Sequence, residues 1–137
     1  MFFLRSLILA PWLFAQGRWV RSRVPVLPEP PGDRQGQAGS GEPIRLLIVG
    51  DSAAAGVGAS HQDEALLGQT VSRLAPRFRV TWNLQARSGA TTKDTLDRLD
   101  ALEPGDYDVA VTSLGVNDAI SMTSRRDWRR RQARLRQ

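Results

Sequence analysis

The sequence predicts one α/β domain built on a parallel sheet that helices cover on both faces. Three segments are typical of strands: a nearly continuous apolar run at 44–49, an alternating run at 78–84 and a third run at 107–114. Segments typical of amphipathic helices separate them, at 64–75 and 92–102. Strands that alternate with helices indicate βαβ units, in which the strands run parallel and both sheet faces are buried. With 137 residues, the chain has room for one such core.

The first strand and helix form the first of these units. The strand at 44–49 has the nearly continuous apolar character of a strand buried on both faces. Gly50 ends it, and a loop of small residues follows. The helix at 64–75 places leucines and a valine on one face and has Pro76 beyond its end, where a helix stops.

The remaining elements continue the alternation. The strand at 78–84 alternates apolar and polar side chains. The helix at 92–102 has leucines at three-residue spacing, begins after threonines suited to capping, and ends before Pro104. The third strand at 107–114 ends in a turn at Gly115, and we predict that the arginine-rich segment after it is helical.

Two segments precede the predicted domain of residues 44–137. Residues 1–23 are apolar and basic, but their apolar run is interrupted by Pro11 and is shorter than the roughly 20 residues that span a bilayer. Aromatic side chains interleaved with arginines favour a short anchor in the membrane interface. Packing on the domain's own surface and an imperfect secretion signal are the alternatives. Residues 24–43 are rich in proline and glycine with few apolar side chains, which predicts a semi-rigid linker that does not order itself.

The charge is divided along the chain. The net charge of +5 combines +6 at residues 125–137, +4 at 1–23 and −5 over 24–124. An acidic middle argues against a basic nucleic-acid-binding fold, so no nucleic-acid partner is expected. For the arginine-rich segment, contact with a nucleic acid or an anionic membrane is the alternative to a plain helix. The charge order around residues 1–23 favours a cytoplasmic location, peripheral at the membrane, with a secreted or periplasmic one as the alternative.

The composition restricts the chemistry. With no cysteine and one histidine, the sequence excludes disulfide scaffolds, thiolate zinc sites and multi-histidine metal centres. The loop after the first strand lacks the lysine of a nucleoside-triphosphate loop and the last glycine of the dinucleotide fingerprint. Nucleotide or flavin binding is therefore a weakly supported alternative, and we predict no metal and no cofactor.

Polar residues follow each predicted strand. The three loops contain Gly50-Asp51-Ser52, Ser88-Gly89-Ala90 and Gly115-Val116-Asn117-Asp118. Because ligands of such sheets bind beyond the carboxyl ends of the strands, we expect the three loops to meet at one edge. Ser52 is then a candidate nucleophile. Its N–H, the N–H of Gly89 and the side-chain amide of Asn117 would together form an oxyanion hole.

In this order, each after a strand, these loops resemble the first three sequence blocks of the SGNH hydrolases, also called GDSL-type lipases and esterases. The resemblance covers about residues 44–124. It implies a flavodoxin-like three-layer α/β/α fold and metal-free ester hydrolysis through a serine acyl-enzyme. It also implies that Ser52 is the nucleophile and that Gly89 and Asn117 complete the oxyanion hole. The implied substrates are small acyl esters, lipids or acylated sugars.

The sequence departs from the family at its catalytic base. The family takes its base from a late Asp-x-x-His block, which these 137 residues lack, so we expect a domain truncated after the third strand and little or no turnover. Asp51 and Asp118 are expected to brace their turns rather than replace the base. His61 could substitute only by bending back to Ser52, and a solvated loop histidine is the simpler interpretation. The competing function is a membrane-surface binding module with a degenerate hydrolase fold.

Overall fold

A computed structural model describes residues 2–102 and 105–136. Within these ranges the chain forms a sheet of strands β1 (Gln35–Ala38), β2 (Glu42–Gly50), β3 (Phe78–Ala86) and β4 (Val109–Ser113). The helices are α1 (Phe2–Arg23), α2 (Ser52–Ala55), α3 (Leu66–Leu74), α4 (Thr92–Asp100), α5 (Val116–Ile120) and α6 (Arg125–Leu135), with a 3₁₀ turn at Gln62–Glu64.

Strands β3, β2 and β4 are the three predicted strands, and they run parallel. The sheet order is β1-β3-β2-β4, so β2 lies between the other two parallel strands. In this register Ile48 of β2 is opposite Leu84 of β3 and Val111 of β4. Since helices follow these strands and flank the sheet, the α/β class is confirmed.

Strand β1 corrects two expectations. It lies inside the segment predicted to be a linker without order of its own, and it pairs antiparallel with β3, so the sheet is mixed rather than wholly parallel. The side chains of Gln35 and Gln37 donate hydrogen bonds to Asn83 and Thr81 across this pair. The linker prediction failed because it considered only the low apolar content of residues 24–43. The edge of β3 supplies backbone partners that a polar strand can use.

Helices lie on both faces of the sheet. One core joins β2 and β3 to α2 and α3. Its buried residues are Leu46, Ile48, Ala54, Ala55, Leu67, Val71, Val80, Leu84 and Ala86. Helix α4 also contacts β2 and β3, and its buried Leu96 lies outside that core. Successive side chains of a strand point to opposite faces, so Val49 of β2 is buried on the face away from Ile48.

Helix α1 exposes its apolar side chains. It is continuous from Phe2 to Arg23 with Pro11 inside it. Every residue from 9 to 20 is exposed, including Trp12 at 71 %, Phe14 at 69 % and Trp19 at 58 %. The alternative that this segment packs on the domain's surface is therefore not seen for residues 9–20. In the described part of the chain, no helix combines the length and apolarity that crossing a bilayer requires.

The arginine-rich segment is helical, as predicted. Ser124 caps α6 by accepting a hydrogen bond from the N–H of Asp127. Helix α6 packs on α4, where Arg134 forms a 2.6 Å ion pair with Asp100. At least one arginine of α6 is thus paired with a carboxylate of the domain itself.

Candidate active site

The three loops predicted to converge are hydrogen-bonded to one another at the carboxyl end of β2. The carbonyl of Gly50 accepts a hydrogen bond from the N–H of Arg87, in the loop after β3, at 3.2 Å. The N–H of Asp51 donates to the carbonyl of Ser113, at the end of β4, at 3.1 Å. The end of β2 is therefore flanked by the other two loops, as the parallel topology predicts.

Gly50 allows α2 to begin directly at the strand end. A Cβ placed on Gly50 would lie 2.4 Å from the Cβ of Ala54 and 2.5 Å from the carbonyl oxygen of Ser113. Both distances are far below van der Waals contact, so only glycine fits. As a result Ser52 is the first residue of α2, half-buried at the sheet edge.

Asp51 caps this short helix. Its backbone is extended, and its Oδ1 accepts a hydrogen bond from the N–H of Ala53 at 3.0 Å, which is the usual geometry of a helix N-cap. The residue is 5 % exposed. The carboxylate is thus occupied in holding the turn that presents Ser52.

Asn117 joins two of the loops. It lies in α5, which follows Gly115, and its Nδ2 donates to the carbonyl of Ala90 at 3.0 Å. The same nitrogen lies 3.5 Å from Oδ2 of Asp51, at the long limit of a hydrogen bond. These partners are the direct chain neighbours of Gly89 and Ser52. The Asn117 amide is therefore placed between the other two candidate site residues.

Gly89 forms the tip of its loop. It is exposed, its φ is +78°, and a Cβ there would meet no atom within 4 Å. A positive φ of this size favours glycine. The neighbouring backbone groups are held: the N–H of Ser88 donates to Glu29, and the N–H of Ala90 donates to Arg87. In the described residues no group accepts a hydrogen bond from the Gly89 N–H.

Asp118 contacts a different element from the one expected. It was predicted to brace the Asn117 turn, but its Oδ2 accepts hydrogen bonds from the N–H and Oγ1 of Thr92, at 2.9 and 2.8 Å. Its Oδ1 has no hydrogen-bond partner and lies 3.9 Å from Nη1 of Arg131. Asp118 therefore fastens α5 to the start of α4, with Arg131 of α6 supplying the nearby positive charge.

His61 takes part in a separate turn. It caps the 3₁₀ turn, where its Nδ1 lies 3.5 Å from the N–H nitrogen of Asp63 and 3.2 Å from the Oδ2 of that residue. Its side chain is 49 % exposed. None of its described contacts involves Ser52. Across residues 2–102 and 105–136, no group of three histidine, aspartate or glutamate side chains is arranged to hold a metal ion.

Sequence reasoning missed two side chains near this edge. Glu29 lies in the predicted linker yet binds the N–H of Ser88, and nothing in its local sequence signals a partner 59 residues away. Arg131 was predicted only as part of the arginine-rich helix, with contact to a nucleic acid or an anionic membrane as the alternative. A capping signal was visible at Thr91, since Thr-x-x-Asp spacing is typical of reciprocal capping, and Thr91 and Asp94 do form such a box.

The residues around this site also lie within a match to a known protein family. Residues 48–137 match the model of the GDSL-like lipase/acylhydrolase family, well over half of the chain. The match includes all three loops described above. A search of curated proteins finds no match.

Proposed function

Because the chain belongs to the GDSL-like lipase/acylhydrolase family, we propose that it hydrolyses acyl esters with Ser52 as the nucleophile. The family match supports a hydrolase of the lipase or esterase type. One observation carries the assignment of residues. The Asn117 amide bonds the residue after Gly89 and contacts the residue before Ser52, so Ser52 and Gly89 each adjoin a partner of Asn117.

The proposed reaction begins with attack of Ser52 Oγ on the ester carbonyl carbon. A bond forms between these atoms and the carbonyl electron pair moves to oxygen. The pair then returns, the ester C–O bond breaks, and the alcohol leaves with the proton given up by Ser52, which produces an acyl-serine. Water later cleaves this acyl-serine and releases the carboxylic acid. The negative charge on oxygen is the feature that the protein must stabilise, and donors already in place do this at little reorganisation cost.

Three donors are proposed for this charge: the N–H groups of Ser52 and Gly89 and one N–H of the Asn117 amide. The Gly89 N–H has no acceptor among the described residues, which leaves it available. At Asn117 the 3.0 Å bond to Ala90 fixes the amide. The 3.5 Å contact to Asp51 is weak enough for a substrate oxygen to replace it.

Removal of the proton from the Ser52 hydroxyl is the slow step of the proposed reaction. A serine hydroxyl is a weak nucleophile until an adjacent base removes its proton. His61 is the only histidine of the sequence, and its described contacts are with Asp63. We therefore propose that the 137-residue chain acylates slowly and turns over little, with residual catalysis from binding and the oxyanion donors of roughly 10³ to 10⁴ over water.

The experiment is reaction of the purified chain with p-nitrophenyl acetate. We expect slow acetylation of one serine, mapped to Ser52 by mass spectrometry and lost in Ser52→Ala. His61→Ala should react like the unaltered chain, and so should Ser60→Ala, a serine in the same loop. Robust turnover that both Ser52→Ala and His61→Ala abolish would contradict the proposal of slow turnover, because His61 would then be the base. Acetylation of another residue instead would contradict the assignment of Ser52.

Chain-length dependence would then define the substrate. We propose a small acyl ester, a lipid or an acylated sugar. A series of p-nitrophenyl esters of increasing acyl length, compared with acetylated sugars, separates these classes by the rate of Ser52 acylation. An equal absence of reaction with all of them would contradict the ester-hydrolase proposal.

A second proposal concerns residues 1–23, which we propose hold the protein at an anionic membrane surface from the cytoplasmic side. The supporting observation is the exposure of Trp12, Phe14 and Trp19 on a helix that carries four arginines, with no acidic residue in residues 1–28. The Arg23 guanidinium lies 4.7 Å from the centre of the Trp19 ring, an aromatic and cationic pairing suited to a lipid headgroup region.

Flotation with vesicles of phosphatidylserine and phosphatidylcholine tests this second proposal. The unaltered chain should float with the vesicles, and the triple variant Trp12→Ala, Phe14→Ala, Trp19→Ala should float several-fold less. The control Val24→Ala, Val26→Ala removes apolar side chains that are also exposed but lie beyond α1. Equal flotation of the triple variant and the unaltered chain would contradict a role of α1 in membrane binding.

A further inference from the structure

The segment Glu29–Arg34, here named the strap, crosses the edge of the sheet where the candidate site lies. Glu29 Oε1 accepts a hydrogen bond from the N–H of Ser88 at 2.6 Å. Arg34 pairs with the other oxygen of Glu29, and its Nη1 donates to the carbonyl of Ala86 at 2.7 Å. The strap therefore holds the end of β3 at Ala86 and the loop after β3 at Ser88.

The strap is itself fixed at several points. The carbonyl of Pro31 accepts a hydrogen bond from the N–H of Gln62 at 2.9 Å, and that of Arg34 accepts one from Leu84 at 2.7 Å. Pro30 is buried and packs close to Gly56, where α2 ends. The strap thus bridges the loop that follows Ser52 and the loop that carries Gly89, and Glu29 is attached to a rigid support.

Gly89 depends on such external contacts. It is exposed and has no packing of its own. Its position is set by its two neighbours: Ser88, whose N–H is held by Glu29, and Ala90, whose carbonyl is held by Asn117. Since both neighbours are hydrogen-bonded, the Gly89 N–H between them has a defined place.

We infer that Glu29 is a positioning residue for the proposed oxyanion hole, holding the Gly89 N–H in place through the Ser88 N–H and the Arg34 pair. This inference rests on the proposed function of Gly89. Strand β1 already pairs with β3 on this side of the sheet, so the Glu29 carboxylate is not needed to cover the edge of β3.

The charge state of Glu29 suits this task. Burial raises the pKa of Glu29, but the hydrogen bonds from Ser88 and the neighbouring positive charge of Arg34 outweigh it and hold the pKa below its usual value. Glu29 is therefore a carboxylate at neutral pH. A hydrogen bond to an ionised group is about twice as strong as one between neutral groups.

The test compares full-length chains that carry Glu29→Ala, Glu29→Gln and, as a matched control, Asp33→Ala. Asp33 is an exposed carboxylate of the same strap. The first readout is the amide resonances and hydrogen exchange of Ser88 and Gly89 by NMR. The second is single-turnover acetylation of Ser52 by p-nitrophenyl acetate, with its maximal rate separated from its half-saturating ester concentration.

For Glu29→Ala we expect faster exchange at Ser88, shifted amide resonances at Ser88 and Gly89, and a maximal acetylation rate about tenfold to 100-fold lower at a similar half-saturating concentration. Glu29→Gln keeps an acceptor oxygen and should recover part of the rate. Asp33→Ala should match the unaltered chain in both readouts. Unchanged amide resonances of α3 show that each variant is folded.

Two failures are distinguishable. If Glu29→Ala acetylates as fast as the unaltered chain, or leaves the Ser88 and Gly89 amides unchanged, the role of Glu29 is overturned while the proposed function stands. If the unaltered chain never acetylates Ser52, the proposed function is contradicted, and the role of Glu29 that rests on it is contradicted with it.

Discussion

Thr92 donates two hydrogen bonds to one oxygen of the Asp118 carboxylate, from its N–H at 2.9 Å and its hydroxyl at 2.8 Å. Both residues are almost completely buried, at 0 % and 2 % exposed. The contact ties α5, which carries Asn117, to the first residue of α4. The position of Asn117, a proposed oxyanion donor, therefore depends on α4, the helix that follows the loop of Gly89.

Replacing Thr92 with valine keeps the volume and removes the hydroxyl. We expect the variant to lose about 1.5 to 3 kcal/mol of the free energy of unfolding, because a hydrogen bond to a buried charged group is lost. Urea unfolding followed by circular dichroism measures the change. Thr112→Val, at an exposed position of β4, is the control and should change the stability by less than about 0.5 kcal/mol. Equal midpoints for the two variants would show that the Thr92 hydroxyl contributes nothing.

Gly50→Ala tests the close approach of α2 to the strand end. The added methyl group would collide with Ala54 and with the carbonyl of Ser113, so we expect a loss of about 1 to 3 kcal/mol in unfolding free energy. Thermal unfolding provides the measurement. Gly17→Ala is the control, since a Cβ there meets nothing within 4 Å and alanine favours a helix. A Gly50→Ala protein as stable as the unaltered chain would contradict the packing described here.

Gly89→Ala and Gly58→Ala form a matched pair. Both glycines have a positive φ, at +78° and +99°, and at both a Cβ would meet nothing within 4 Å. Each substitution should therefore destabilise by about 1 to 2 kcal/mol through backbone strain alone. Only Gly89→Ala should slow the acetylation of Ser52, because backbone strain there would displace the N–H that is proposed to donate to the substrate oxygen. If both variants react as fast as the unaltered chain, the backbone position of Gly89 does not affect acetylation, which would contradict its proposed role.

The capping box at the start of α4 predicts a pH dependence. Hydrogen bonds from the side chain and the backbone of Thr91 hold the pKa of Asp94 below its usual value. Because the folded-state pKa is lower than the unfolded one, the contribution of Asp94 is fully present above about pH 3.8 and is lost as the pH falls through the folded-state value. The unfolding free energy of Asp94→Asn should therefore fall less steeply than that of the unaltered chain as the pH is lowered below about 4.

Urea unfolding at a series of pH values measures this slope. Asp33→Asn, at an exposed carboxylate, is the control and should retain the full slope. An Asp94→Asn slope as steep as that of the unaltered chain would show that the capping box does not contribute to the pH dependence.

The parallel strands were predictable because their own side chains are mostly apolar where the strands are buried. A strand between two neighbours and two helix layers needs a nearly continuous apolar run, and 44–49 is apolar at every position except Arg45. The meeting of the three loops follows from this topology, since carboxyl ends of parallel strands share an edge. Strand β1 was not predictable in the same way, because Gln35 and Gln37 are polar and their order comes from β3, more than 40 residues further along the chain.

The contacts around the site were harder to predict for a similar reason. Local spacing gave the turn that carries Asn117 as the natural partner of Asp118. The structure instead pairs it with Thr92, 26 residues earlier. Contacts of Glu29 and Asp118 are set by the packing of distant elements, which periodicity and local motifs do not encode.

Few residues separate the end of α1 from the strap. This limits the distance between Arg23 and the proposed site. Helix α1 ends at Arg23, and Glu29 is already bonded to Ser88. Six fully extended residue steps cover at most about 20 Å. If a surface binds α1, Glu29 and the Ser88 turn bonded to it therefore stay within about that distance of the end of α1. The protein would then meet an ester embedded in the same surface by diffusion in two dimensions rather than three.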